Sequence, residues 1–153
     1  MGVSSVIQNS AKADLLRAGT NFNTSGGTPA GHAFKIALYT NSTTIDTTTT
    51  AYGGPSNEVS GAGYSSGGNA LTNTGVGTTT VTSFTDFSDT SWTSASFTAR
   101  GCLIYNTTAI TGLTANRAVC SIDFGGDKTV SSGTFTIQFP TNDSSSAILR
   151  ITS

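Results

Sequence analysis

Apolar positions near the start of the chain recur at intervals of four: Ile7, Ala11 and Leu15, with Val6 and Leu16 flanking the stripe. Lys12, Asp14 and Arg17 occupy the remaining positions, which is the period of an amphipathic helix. Ser5 followed three residues later by Gln8 fits a capping box, and Gly19 fits a C-cap. The spacing predicts a helix of about a dozen residues, too short to be stable alone in water, so its stripe needs a surface to dock on. Residues 1–20 are read as an N-terminal amphipathic helix or arm, and residues 21–153 as a β-domain.

Past residue 20 the period changes from four to two. Phe34, Ile36 and Leu38 alternate with polar or small neighbours and predict a strand. Residues 52–77 are glycine-dense, with Gly61, Gly63, Gly67 and Gly68, and are expected to form a long loop with little regular structure. The second half alternates more plainly. Residues 81–87 form an imperfect strand, and Ala95, Phe97, Ala99, Leu103 and Tyr105 fall on one face of another, with Gly101 permitting a bulge. Ala118, Cys120, Ile122 and Phe124 share a face, Gly125-Gly126-Asp127 is expected to turn the chain, and Phe135, Ile137 and Phe139 alternate up to Pro140. Ala147, Leu149 and Ile151 make a last strand. Short strands separated by turn signals predict a mainly β protein, an antiparallel β-sandwich of jelly-roll or Ig-like type with one short N-terminal helix.

Composition narrows the function more than the fold. Charged residues are 10% of the chain, against roughly 25% in an ordinary domain, and Ser and Thr supply about a third. Seven Lys and Arg with a net charge of −1 leave no footprint for a polyanion, so no direct nucleic-acid partner is expected. One His, two Cys and one Met offer little to a transition metal, and no cofactor is expected. The start Met1-Gly2-Val3-Ser4-Ser5-Val6 has neither the basic nor the apolar region of a signal peptide, and no run of about 20 apolar residues follows. The expectation is synthesis in a cytoplasm and no membrane partner. Cys102 and Cys120 then read as buried thiols, a cross-strand disulfide requiring matched register and an oxidising compartment.

No constellation points to catalysis. His32 is the single conventional base near neutral pH, with no partner Ser and Asp identifiable from spacing. Gly63-Tyr64-Ser65-Ser66-Gly67 matches a nucleophile elbow by letter, but its flanks are glycine and serine where a strand and a helix are required, and His32 precedes it. Asp46, Glu58, Asp86, Asp89, Asp123, Asp127 and Asp143 are spread as turn carboxylates, and Asp86 and Asp89 lack the spacing of a calcium loop. No residue is assigned a catalytic role.

Taken together, several blocks form a familiar pattern. They are the strand Phe34–Thr40, then Tyr52, then Asn57-Glu58-Val59-Ser60-Gly61-Ala62-Gly63-Tyr64-Ser65-Ser66-Gly67-Gly68, followed by residues 99–106, 123–129 and 135–140. The chain resembles a group of small tailed-bacteriophage virion proteins over most of its length. The resemblance implies a non-enzymatic structural component, a capsid decoration (cement) protein that bridges capsid subunits. Its expected partners are the major capsid protein and further copies of itself, as a homo-oligomer such as a trimer. It would be made in the host cytoplasm and end on the capsid surface of the virion. The alternative is a tail or tail-fibre component with a glycan- or host-binding role, for which Trp92, Tyr52 and Tyr64 would be stacking platforms. The residues expected to make protein contacts are Val6, Ile7, Ala11 and Leu15 at the helix and Tyr52 and Tyr64 in the glycine-dense region. For the helix the other reading is that its stripe caps the end of its own sandwich.

Overall fold

The computed structural model describes residues 1–153. Its elements run β1 (Gly2–Val3), β2 (Val6–Ile7), α1 (Asn9–Leu16), β3 (Phe34–Tyr39), β4 (Thr44–Ile45), β5 (Asn69–Leu71), β6 (Asn73–Thr78), β7 (Thr82–Phe87), β8 (Thr90–Asn106), β9 (Arg117–Ile137) and β10 (Leu149–Thr152). A five-stranded sheet has the order β2-β9-β8-β3-β5 and a three-stranded sheet the order β10-β7-β6, with every pairing in both antiparallel. β1 and β4 form a short parallel pair of their own. The protein is an antiparallel β-sandwich with one short helix, as the alternation predicts. No helix is long and apolar enough to cross a membrane.

The main core lies between the sheets. Phe34, Ile36 and Leu38 of β3 meet Phe97, Cys102 and Ile104 of β8, with Phe87 and Leu149 contributed by the smaller sheet. A second cluster of Val3, Ala37, Tyr39, Ile45, Leu103 and Tyr105 lies on the other face of the large sheet, beneath β1 and β4. The centre of that sheet is therefore buried on both faces. This accounts for the near-continuous apolar runs Ile36–Tyr39 and Cys102–Tyr105, where a half-exposed strand would alternate.

Local irregularities revise several expectations. The pairing of β8 with β9 shifts between Ala99 and Gly101, so Leu103 and Tyr105 turn to the second cluster, away from the face of Ala95, Phe97 and Ala99. Gly101 permits this because a Cβ there would lie 2.8 Å from the Val3 side chain. A second shift, between Ile104 and Tyr105, separates Ala118 from Cys120, Ile122 and Phe124 in the same way. Gly125-Gly126-Asp127 does not reverse the chain. Residues 124–127 are an excursion opposite Arg100, after which β9 continues, so the two strands expected there are one. Arg100 closes the excursion by donating to Asp123 at 2.8 Å. Within the last strand Leu149 is buried, but Ile151 is 63% exposed on the outer strand of the small sheet.

The N-terminal helix is shorter than its pattern. It begins at Asn9, Gln8 makes no side-chain cap, and Val6 and Ile7 are strand residues paired with Ser121 and Cys120. The capping-box side chains have other partners: Ser5 Oγ accepts the Asp123 N–H, and buried Gln8 donates to Ser121 Oγ at 2.9 Å. An open edge on β9 competes with a helical turn for residues 5–8, and the sheet pairing prevails. The glycine-dense region also has more regular structure than expected, since it supplies β5 and most of β6.

Cys102 pairs with Ile122, and Ile104 with Cys120, so the two cysteines are diagonal neighbours on adjacent strands. Diagonal positions lie about 7–8 Å apart, beyond the Cβ separation a disulfide requires. Both thiols are free and fully buried, and burial pushes Cys120 up to about 12 and Cys102 higher still. Neither thiol is expected to react with a thiolate-directed reagent such as DTNB in the native protein, while two equivalents react in denaturant. Rapid native labelling would contradict this burial.

Candidate functional site

Glu58 organises the glycine-dense region. Its Oε1 accepts the Tyr64 hydroxyl and the Gly67 N–H, both at 2.7 Å, and its Oε2 accepts the Tyr52 hydroxyl at 2.8 Å and the Ser66 hydroxyl at 2.9 Å. The Tyr64 oxygen also accepts the Leu38 N–H at 2.9 Å, which ties the knot to β3. Burial, then the neighbouring Glu58 carboxylate, holds the Tyr64 hydroxyl protonated far above the usual phenol range. Tyr52 stacks on Tyr105 at 4.5 Å, and the Tyr105 hydroxyl donates to the Gly67 carbonyl. Tyr64 packs against Trp92 and Phe97 in the main core, where Trp92 is 3% exposed. The side chains read as stacking platforms thus bind the protein to itself. A carboxylate that gathers two phenols, a hydroxyl and an amide is a structural pin for residues 52–68.

The remaining polar candidates are engaged in the same manner. His32 Nδ1 accepts from Asn106 Nδ2 at 2.8 Å and from the Asn21 N–H at 3.4 Å, so this nitrogen carries no proton. Burial lowers the His32 pKa, consistent with a neutral ring that latches the loop before β3 onto the end of β8. Asp86 is buried and accepts the N–H groups of Phe87 and Ile148, and Asp89 accepts that of Phe139. Burial raises the Asp86 pKa.

Two apolar concavities remain on the surface. The first is a cleft of about 210 Å³ between α1 and the small sheet, where Ile7, Ala11 and Leu15 face Val76, Phe84 and Ile151. Three of the expected contact residues therefore do come together, although Ile7 arrives from a strand. Ala11 and Asp14 are buried against the sheet, so the helix docks on its own sandwich, while Leu16 is 92% exposed and Val76 55%. The second concavity is a groove of about 830 Å³ beside β9. It is lined by Val6 and Ile7 of β2 and by Ile122, Phe124, Phe135 and Ile137 of β9, with Phe139 and Ile148 closing it. Tyr52 and Tyr64 line neither.

The groove is the feature that reading the sequence missed. Phe135, Ile137 and Phe139 do alternate with exposed Thr134, Thr136 and Gln138, as expected, but the apolar members are only half-buried. Alternation marks which face of a strand is apolar and carries no information on whether another layer covers it. Here the covering small sheet ends at β10, which is four residues long. No protein-family model, no curated protein and no solved structure matches this chain.

Proposed function

We propose that this chain is a non-enzymatic structural component of a tailed-phage virion, a capsid decoration protein that holds neighbouring capsid subunits together. The observation that carries the reading is the cleft beside α1, lined by exposed Leu15, Val76 and Ile151 in a chain otherwise rich in Ser, Thr and Gly. Exposed apolar residues grouped on a polar surface mark protein-binding sites. The resemblance described above supports the virion assignment, and its block Asn57–Gly68 coincides with the Glu58 pin, a scaffold element. The engagement of Trp92, Tyr52 and Tyr64 favours this reading over a glycan-binding tail component.

Copies binding many equivalent sites would stabilise the assembled shell by mass action, provided they prefer that lattice to its alternatives. Particles carrying the protein should release DNA at a higher temperature than particles lacking it. Val76→Glu and Ile151→Glu, both at exposed positions lining the cleft, should weaken attachment by about tenfold or more, since burying one such side chain is worth about 1.5–3 kcal/mol. Equal heat release from both kinds of particle, or attachment indifferent to both substitutions, would rule the reading out.

A further inference from the structure

We propose that residues 57–68 are a cover over an otherwise open edge of β3, latched by the charge on Glu58, and that protonating Glu58 loosens the cover and frees that edge. The proposal rests on the geometry of this segment and is independent of the virion reading.

The edge comes first. β3 pairs with β8 along its whole length, but on its other side β5 meets only Phe34, Lys35 and Ile36. Beyond Ile36 no further strand lies on that side, and residues 57–64 take its place. The Leu38 N–H donates to the Tyr64 hydroxyl oxygen at 2.9 Å, and the Leu38 carbonyl accepts the Val59 N–H at 2.9 Å. Just past the end of β3, the Thr40 N–H donates to the Asn57 carbonyl at 3.1 Å. A bare strand edge is a template for pairing with another chain, so proteins cover it. This cover forms only one bridge with β3, between Glu58 and Tyr39, so side chains must hold it in place.

The latch is Glu58. Its four partners, Tyr52, Tyr64, Ser66 and the Gly67 N–H, all donate to it, and it forms no ion pair. A protonated carboxyl carries a donor of its own and needs an acceptor, where every neighbour is already donating. Protonation therefore breaks at least one of the four bonds and turns charge-assisted bonds into weaker neutral ones. The Tyr64 hydroxyl transmits the loss, because the group that Glu58 holds is the group that caps the Leu38 N–H. The other ionisable groups facing Glu58 are Tyr39 and Lys35 of β3, Tyr105 of β8, and Tyr52 and Tyr64 themselves. Burial raises all four phenols, so they stay neutral in acid and Glu58 is the group that changes charge there. Stability supplied by an ionised carboxylate is lost as pH falls. Val59 and Tyr64 also pack in the main core, so the cover loosens without detaching.

Native-state hydrogen exchange on the purified full chain reads the edge directly. The Leu38 and Thr40 amides report the cover, and those of Cys102 and Ile104 in β8 report unfolding of the whole sheet. From about pH 7 to about pH 3.5, protection at Leu38 and Thr40, corrected for intrinsic exchange, should fall about tenfold or more relative to Cys102 and Ile104. Glu58→Gln keeps the shape without the charge. It should show the lowered protection already at neutral pH and no further fall in acid. Ser66→Ala, a milder change at an exposed position, should lower Leu38 protection at neutral pH by a smaller factor and keep the chain folded. Leu38 and Cys102 losing protection together in the wild-type chain would overturn the proposal, since the sheet would then be opening as a whole. An acid-induced fall that persists in Glu58→Gln would overturn it as well, by assigning the effect to another carboxylate.

Discussion

Gly68→Ala is expected to remove a large part of the stability of this protein. Gly68 has φ +66°, a backbone conformation that costs an L-residue about 1–2 kcal/mol. A Cβ there would also run into the Ile36 carbonyl oxygen and lie 2.9 Å from the Ala37 Cα. These atoms are backbone of β3, the strand packed between both core clusters, and Ile36 and Ala37 are wholly buried. They cannot yield without displacing core residues on both faces, and overpacking of this kind costs about 1–3 kcal/mol more. The sum is a large fraction of the 5–15 kcal/mol typical of a domain. Gly53→Ala is the control: its φ is +94°, but nothing lies within 4 Å of the added atom. It should therefore show only the backbone cost. Urea midpoints for the two variants measure the difference. Equal shifts would mean that Gly68 serves its backbone conformation and not close approach to β3.

Asp14→Ala is the second expected large loss. The Asp14 side chain is 1% exposed and is held by Arg117, whose Nε donates to Oδ2 and whose second nitrogen donates to Oδ1 at 2.9 Å. This pair anchors α1 to the first residue of β9. Removing one member of a buried pair costs about 3–5 kcal/mol because the remaining charge is left uncompensated. Arg117 retains some contact with solvent, at 12% exposure, and Arg17 lies 3.8 Å from the same carboxylate, so the lower end of that range applies. The double variant Asp14→Leu with Arg117→Met should recover most of the loss, since a well-packed apolar pair often equals a buried ion pair. Denaturation midpoints of the two single variants and the double variant test this as a cycle. A double variant no more stable than Asp14→Ala alone would show that the helix is held chiefly by something other than the pair.

Residue pattern alone determined the class of fold, because period-two alternation over residues 34–38, 95–99 and 134–138 is a local property of each strand. It also located the apolar stripe Ile7, Ala11 and Leu15, and it identified Cys102 and Cys120 as core positions. What the pattern could not carry was any feature that depends on a partner distant in sequence. Residues 5–8 read as a helix start and became a strand because Ser121 and Cys120 offered an edge more than 110 residues away. Gly125-Gly126-Asp127 read as a reversal and became an excursion because β8 continues opposite it on both sides. Asp14 read as one of the polar positions on the helix, and only the docking of β9 made it the buried anchor of that helix. Glu58 stood among unremarked turn carboxylates, and tertiary folding gathered Tyr52, Tyr64, Ser66 and Gly67 around it. The groove is the clearest case. Phe135, Ile137 and Phe139 have the same alternation as the covered strand Phe34, Ile36 and Leu38. Burial is set by whether a second layer extends over the strand, and the small sheet, which ends at the four-residue β10, left this part of the β9 face open.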